Sequence, residues 1–181
     1  MSADKAIEIF KIMLYNECEI ISREFEMKRI MFVCHGNICR SPMAEFILKD
    51  MTEKRSIAHK YLIASSATST EEIWGSVGNP VYGPAKRELA KHGISCFGKR
   101  AVQVKKSDYD KYDLFLVMDS NNVRNIMRIF GSDSEGKVHK LLDYTGFGGD
   151  VADPWYSGDF STAYSDICKG CEKLLEMLEG E

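Results

Sequence analysis

The chain has 181 residues, of which 44% are hydrophobic, so it is long enough and apolar enough to build the core of one compact domain. Its 24 lysines and arginines stand against 27 aspartates and glutamates, and the resulting net charge of −3 argues against a surface built to attract nucleic acids or anionic membranes. We therefore expect neither a nucleic acid nor a membrane as a partner.

Targeting and redox signals indicate a cytoplasmic protein. The longest apolar stretch near the N-terminus, residues 7–15, is interrupted by Glu8 and Lys11 and is far shorter than the roughly 20 residues of a spanning helix. The start of the chain also lacks the basic residues and the cleavage site of a secretory signal. The six cysteines are too few for a disulfide scaffold, so we expect them to stay reduced.

The first predicted element is a helix within residues 1–26, an extension that precedes the main domain at residues 27–181. Three interpretations of it stay open: a docking helix for a partner or a second copy, a helix packed on the domain itself, or upstream sequence translated before a true start at Met27. Apolar residues recur there at loosely helical spacing without Gly or Pro: Ile9, Phe10, Met13, Leu14 and Ile21.

From residue 27 onward, β-rich runs alternate with helical periods, which predicts an α/β fold with a four-stranded parallel sheet flanked by helices. Ser41 is the predicted cap of the first helix and Pro42 its first residue. A glycine-rich segment, residues 143–159, is predicted to be a long functional loop. The predicted strands are 29–33, 61–64, 114–118 and 138–142, and the predicted helices are 42–51, 84–92, 121–130 and 161–178.

The segment VCHGNICRSPMAE, residues 33–45, joins the first strand to the first helix and carries the strongest chemical signal. Ligands of open α/β sheets bind at the carboxyl ends of strands. A loop curling there can aim the backbone N–H groups of residues 35–40 at an anion, assisted by the helix dipole. The same field stabilises a thiolate, so Cys34 is a candidate nucleophile. Arg40 offers a planar fork for two phosphoryl oxygens.

Other residues of this segment fit the same cradle. Gly36 and Asn37 suit a tight, left-handed backbone. The competing interpretation of Cys34 is a small buried hydrophobe at the end of a strand. The arginine, the glycine and the serine at their positions favour the phosphate cradle over that alternative.

Over about residues 27–178, the chain resembles the low-molecular-weight protein tyrosine phosphatases. The string 33–45 is similar to that family's active-site signature, and the family fold, a four-stranded parallel sheet with flanking helices, agrees with the predicted elements. Further similar motifs follow in order: SSATS (65–69), GNP (78–80), KHGI (91–94), MDSN (118–121) and DPWY (153–156).

The resemblance implies a two-step hydrolysis of phosphotyrosine in proteins, with inorganic phosphate as the product and no cofactor. Cys34 would form a cysteinyl-phosphate, Arg40 would bind the transferred group, and Asp153 would act first as acid and then as base. Ser41 would donate to the departing sulfur, while Asn37 and Ser65 would brace the loop. The implied phosphate-binding loop comprises His35, Gly36, Asn37, Ile38, Cys39, Arg40 and Ser41.

Two further residues, Cys39 and Asp119, keep two interpretations each. In the family a cysteine at the position of Cys39 can form a reversible disulfide with the nucleophile, although a buried small residue is the alternative. Asp119 either lies near the pocket or caps the following helix. Lys99 stands where animal members carry a bracing histidine, which leaves that network open. The expected walls of the substrate slot are Ile38, Trp74, Trp155 and Tyr156.

No metal is expected, because Cys168 and Cys171 have no second pair at metal-ligand spacing. Thiol-dependent arsenate reductases share the fold but need two further cysteines near the end of the third strand, which are lacking here. Protein-arginine phosphatases carry a threonine where Ile38 stands, and the apolar Ile38 favours a phenyl ring. A non-catalytic phosphate-binding module would need neither Cys34 nor Asp153.

Overall fold

The computed structural model describes residues 27–180, and the predicted helix within residues 1–26 lies outside them. The strands are β1 (Lys28–Cys34), β2 (Tyr61–Ala67), β3 (Ile73–Trp74), β4 (Val77–Gly78), β5 (Leu114–Val117) and β6 (Val138–Lys140). The α-helices are α1 (Arg40–Lys54), α2 (Gly83–Lys91), α3 (Ser120–Phe130), α4 (Pro154–Ser157) and α5 (Phe160–Glu179). Three short 3-10 helices cover Ala58–Lys60, Lys106–Lys111 and Leu141–Thr145.

The main sheet has the strand order β2-β1-β5-β6, and every neighbouring pair is parallel. The predicted fold class is therefore confirmed. After β2 the chain crosses over β1 to build β5 on its other side, so the connections that leave the carboxyl ends of β1 and β5 run in opposite directions. Such a switch point leaves a crevice in which α/β proteins bind ligands, and Cys34 ends β1 there.

The side chains of β1 alternate between two cores, as the two-residue period of a strand requires. Ile30 and Phe32 are fully buried in the cluster that contains α1 and α5 residues. Met31 and Val33 face the opposite cluster, which α3 supplies with Ile126. Burial on both faces explains why β1 reads as a continuous apolar run.

Several local predictions differ from the structure. Ser41 is not the cap of α1: the helix begins at Arg40 after Cys39, without a side-chain cap, and the Ser41 hydroxyl bonds to side chains of the preceding loop instead. The fourth strand stops at Lys140 because a 3-10 helix, Leu141–Thr145, follows it. The hairpin of β3 and β4 was not predicted, since its strands have only two residues each.

Helix α5 packs very closely on the 3-10 helix that leads into the predicted functional loop. Gly170 faces Leu141, and a Cβ atom at position 170 would lie 2.5 Å from Leu141 Cγ. Only glycine allows this approach without moving the helix. The contact therefore fixes the distance between α5 and the start of the loop.

Candidate active site

The loop between β1 and α1 wraps around the sulfur of Cys34. The Asn37 backbone N–H donates to Cys34 Sγ over 3.3 Å, and Ser41 Oγ lies 3.1 Å from the same sulfur. Helix α1 begins at Arg40, so its positive end also faces the loop. These groups would stabilise negative charge on the sulfur.

Asn37 holds the loop in its turn. Its φ is +56°, the left-handed region that asparagine tolerates better than most residues, as predicted. The buried side-chain amide donates to Ser41 Oγ (2.9 Å) and to Ser65 Oγ (2.8 Å), and it accepts from the Val102 N–H (3.1 Å). The loop is thereby tied to α1, to β2 and to the segment before β5.

A buried ion pair between Glu45 and Lys99 holds Ser65, one of the residues that contact Asn37. Ser65 Oγ donates to Glu45 Oε2 (2.6 Å), and Lys99 Nζ contacts the same oxygen (2.8 Å) while also donating to the Ser65 carbonyl (2.8 Å). Lys49 pairs with the other carboxylate oxygen at 2.6 Å. Burial raises the pKa of the Glu45 carboxyl, but Lys99 and the other donors outweigh it and hold the pKa below its usual value.

Lys99 therefore belongs to the bracing network, and Glu45 is a member that the sequence did not reveal. Glu45 was visible only as the last letter of the loop motif. Lys49 lies one helical turn away, but the partners that tie Glu45 to the loop network, Ser65 and Lys99, lie 20 and more residues away, so no local spacing indicates those contacts.

The Arg40 guanidinium bridges two carboxylates. Its Nη1 lies 2.6 Å from Asp119 Oδ2 and its Nη2 lies 2.6 Å from Asp153 Oδ2. Burial lowers the pKa of Arg40, but the charges of Cys34 and of both aspartates raise it, and the net shift is upward. Arg40 is therefore a permanent cation at the pocket floor. Asp119 also accepts from the Asn122 N–H (2.6 Å) and so caps α3; it contacts Arg40 but is not among the described residues that line the pocket.

The glycine-rich loop carries Asp153 to this arginine. The Val151 N–H donates to the Met118 carbonyl after β5 (2.8 Å), which anchors the loop to the sheet. Asp153 then caps α4, because its Oδ1 accepts from the Trp155 N–H (3.1 Å). Its side chain is 31% exposed, so solvent reaches the carboxylate.

A pocket of about 190 Å³ opens above the sulfur. The expected bracing residues, Asn37, Ser41 and Ser65, are not among its described lining residues; Asn37 donates to both serine hydroxyls. Two lining residues, Glu71 and Glu72, were not predicted; the only signal in the sequence is that they follow the SSATS motif as an acidic pair. The predicted residues among the lining are Cys34, His35, Gly36, Ile38, Cys39, Arg40, Asp153, Trp155 and Tyr156.

Trp74 was predicted to form a wall of the substrate slot, and the structure places it elsewhere. The described residues that line the pocket do not include it, and its side chain is 73% exposed. It lies in the short hairpin of β3 and β4, whereas Glu71 and Glu72, which precede that hairpin in the chain, line the pocket.

Cys39 lies in the same loop, almost fully buried. Burial, together with the charges of the neighbouring Cys34 and Asp153, raises the pKa of its thiol to about 12. Cys39 is therefore a protonated thiol at neutral pH and does not compete with Cys34 as a nucleophile.

Within residues 27–180 there is neither a helix suited to crossing a membrane nor a side-chain cluster suited to a metal ion. Among the helices described there, none is long and apolar enough to cross a membrane. In the same part of the chain, no group of three or more His, Cys, Asp and Glu side chains is arranged to hold a metal ion.

The chain matches a known protein family. The model of the family described as low molecular weight phosphotyrosine protein phosphatase matches residues 29–181. The low molecular weight protein-tyrosine-phosphatase YfkJ of Bacillus subtilis is 36% identical over 157 residues, which are 86% of this chain and 98% of that protein. The low molecular weight phosphotyrosine protein phosphatase of Gallus gallus is 36% identical over 161 residues, 83% of this chain and 96% of that one.

Solved structures agree with the sequence comparison. The crystal structure of YfkJ from Bacillus subtilis has a TM-score of 0.79 at 35% identity, covering 86% of this chain and 96% of the other. The structure of DARP, a drosophila arginine phosphatase, has a TM-score of 0.73 at 26% identity, covering 84% and 98%.

Proposed function

Because the chain belongs to the low molecular weight protein tyrosine phosphatase family, we propose that it hydrolyses phosphotyrosine in proteins through a cysteinyl-phosphate on Cys34. The observation that carries this proposal is the convergence of three groups on one pocket. Cys34 lies at its floor, Arg40 beside it, and Asp153 within 2.6 Å of Arg40. A nucleophile, a phosphoryl-binding cation and a proton donor are what a two-step phosphoryl transfer requires.

In the first step the Cys34 thiolate attacks the phosphorus, and the bond from phosphorus to the phenolic oxygen breaks. Protonated Asp153 gives its proton to that oxygen, so tyrosine leaves neutral. The N–H groups of the loop and the Arg40 guanidinium stabilise the charge on the three equatorial oxygens. The Asn37 N–H, already aimed at the sulfur, supports this arrangement.

Substrate binding has to release Asp153 from Arg40. The guanidinium fork that would hold two phosphoryl oxygens is occupied by carboxylates of Asp119 and Asp153. Asp119 is 15% exposed and Asp153 is 31% exposed, so Asp153 is the partner more easily exchanged. Its replacement by a phosphoryl oxygen frees the carboxyl group to meet the leaving oxygen.

In the second step water attacks the phosphorus and the sulfur departs. Asp153, now a carboxylate, takes a proton from the water, and inorganic phosphate forms. The Ser41 hydroxyl lies 3.1 Å from the sulfur and can donate to it as the charge returns there. Asn37 and Ser65 act by holding Ser41 and the loop in place.

The wall of the pocket favours an aromatic leaving group over a guanidinium. Ile38 presents an apolar side chain, and Trp155 and Tyr156 add aromatic surface. An aromatic ring gains from such burial, whereas a guanidinium would lose hydration against Ile38. The structural similarity to an arginine phosphatase makes phosphoarginine the substrate to exclude experimentally.

The test measures initial rates of phosphate release from matched phosphotyrosine and phosphoarginine peptides. We expect the phosphotyrosine peptide to be strongly preferred, Cys34→Ala to be inactive, and Asp153→Asn to lose about 10²- to 10⁴-fold in kcat. Asp110→Asn, at an exposed position without a role in the pocket, is the matched control and keeps the wild-type rate.

Preference for phosphoarginine would leave the nucleophile in place but overturn the substrate assignment. Release from neither peptide would overturn the enzymatic proposal as a whole. Equal rates for wild type and Asp153→Asn would overturn the assignment of Asp153 as the proton donor.

A further inference from the structure

The pocket mouth has one acidic side. Glu71 and Glu72 both line the pocket, next to the loop that carries Cys34. Glu71 accepts from His35 Nε2 at 2.9 Å, and its side chain is 71% exposed. Glu72 accepts from Asn79 Nδ2 at 2.7 Å, and its Cγ would lie 3.0 Å from a Cβ atom at Gly36. Both glutamates are thus held at the rim by specific contacts.

The remaining charges of the pocket do not neutralise this side. Arg40 and His35 are the basic groups among the described lining residues, and Arg40 is already shared between two aspartates. The charge of Glu72 acts inside the pocket, because it contributes to the raised pKa of the Cys39 thiol. Arg40 therefore lies at the floor, while the mouth carries two carboxylates against the single imidazole of His35.

We propose that Glu71 and Glu72 select phosphotyrosine sites whose neighbouring residues are lysine or arginine. This inference rests on the proposed function, because it concerns the peptide that surrounds the bound phosphotyrosine. When the aromatic ring enters beside Trp155, its flanking residues cross the mouth on the side of Glu71. Basic side chains meet a carboxylate there, whereas acidic ones meet a like charge.

The exposed setting determines the size of the effect. A solvent-exposed ion pair changes an equilibrium by a factor of about 1.5 to 5. Exchanging two flanking aspartates for lysines turns repulsion into attraction at both positions, so we expect about a tenfold higher kcat/KM. Salt should reduce this ratio, because exposed charges are screened within about 10 Å at 0.1 M ionic strength.

The experiment uses three phosphotyrosine peptides that differ only at the residues before and after the phosphotyrosine, which are both Lys, both Gln or both Asp. The values of kcat/KM are measured for wild type, for Glu71→Gln, for Glu71→Lys and for the double variant Glu71→Gln/Glu72→Gln. In wild type we expect the order Lys, Gln, Asp. The double variant should bring the ratio of Lys to Asp peptides close to one, and Glu71→Lys should invert it.

A matched control removes a glutamate elsewhere. Glu53 is exposed near the end of α1, thirteen residues beyond Arg40 and therefore about 20 Å along the helix at 1.5 Å per residue. Glu53→Gln should keep the wild-type ratio. A change of the ratio in this control would mean that net charge, not the mouth, selects the peptide, and would overturn the inference.

The other outcomes separate this inference from the function beneath it. If all three peptides are hydrolysed at equal rates, or if the double variant keeps the wild-type ratio, the selection by Glu71 and Glu72 is wrong while the phosphatase activity stands. If no phosphotyrosine peptide is hydrolysed by wild type, the proposed function fails and the inference falls with it.

Discussion

Arg40 and Asp153, 113 residues apart in the sequence, meet at 2.6 Å between Nη2 and Oδ2. The carboxylate occupies a position in the guanidinium fork that a phosphoryl oxygen would take. On the proposed mechanism, the acid and the substrate therefore compete for one cation before the reaction begins.

This competition predicts that Asp153→Asn binds inorganic phosphate more tightly than wild type. The asparagine removes a negative charge that opposes the anion and competes for Nη2. We expect the Kd for phosphate to fall about three- to tenfold, equal to about 0.7 to 1.4 kcal/mol, measured by isothermal titration calorimetry. Asp110→Asn should leave the Kd unchanged, and equal or weaker binding by Asp153→Asn would show that the contact does not oppose the ligand.

The buried pair below the loop predicts a stability effect. Lys99→Met removes the contact with Glu45 at 2.8 Å while Lys49 and Ser65 still hold the carboxylate. Because breaking a buried pair at one partner costs about 3–5 kcal/mol when nothing else compensates, we expect a loss of about 1–3 kcal/mol in urea unfolding. The exposed pair of Lys54 with Asp50 is the control: Lys54→Met should change stability by less than about 1 kcal/mol. Equal losses of stability in both variants would contradict the expectation that the buried ion pair contributes more than the exposed one.

The same carboxylate predicts how stability depends on pH. Burial raises the pKa of Glu45, but Lys99, Lys49 and Ser65 lower it more, so it lies below the ordinary 4.5. The folded protein binds the proton less tightly than the unfolded chain, so this stabilisation is present above the unfolded pKa and is lost as the pH falls through the folded pKa. Urea unfolding from pH 6 to pH 3 should show a shallower loss of stability for Glu45→Gln than for wild type. Parallel curves would exclude Glu45 as a source of the acid sensitivity.

The raised pKa of Cys39 predicts a pH-dependent protection of the nucleophile. Peroxide converts Cys34 to a sulfenic acid, and Cys39 can attack that sulfur only after losing its proton, forming a disulfide and releasing water. Since the thiol pKa is about 12, the thiolate fraction rises about tenfold per pH unit below that value. Activity recovered by dithiothreitol after peroxide should therefore be greater at pH 9 than at pH 7. Cys39→Ser should recover little at either pH, whereas Cys168→Ser should behave as wild type; recovery independent of Cys39 would remove its redox role.

The close approach of α5 to the 3-10 helix predicts a strong coupling between two positions. Gly170→Ala would force a methyl group within 2.5 Å of Leu141 Cγ, and such overpacking costs about 1–3 kcal/mol. Leu141→Ala opens a cavity and costs about 2–5 kcal/mol. In the double variant the new methyl group occupies part of that cavity, so the urea-unfolding loss should be at least about 1 kcal/mol less than the two single losses added. Additive losses would mean that α5 and the 3-10 helix move apart to accommodate the methyl group. Lys169→Ala, at an exposed position of the same helix, is the control.

The cradle could be predicted from the sequence because its members are contiguous. Cys34, Asn37 and Arg40 belong to one loop, so their spacing alone indicates an anion site at the end of a strand. The sheet was equally accessible, since each strand is an apolar run between turn signals. The position of Asp153 needed the family resemblance, because a carboxylate before a proline is also an ordinary turn.

The parts that escaped prediction depend on contacts between distant segments. Lys99 reaches the Ser65 carbonyl across 34 residues, and no periodicity encodes such a pair. Glu71 and Glu72 line the pocket because the chain returns to its mouth after β2. Trp74 was misplaced for the same reason: its type suits a pocket wall, but the two-residue strands that carry it leave no pattern to indicate where the hairpin points.

The strand order has a consequence for the growing chain. Strand β1 can pair with β2 as soon as residue 67 has been made, whereas its other neighbour ends at residue 117 and the acid loop reaches Asp153 later still. A nascent or prematurely released chain that stops before residue 150 contains Cys34 and Arg40 without Asp153. On the proposed mechanism, translation adds the nucleophile early and the proton donor late, so only a chain extended past residue 153 carries a full catalytic set.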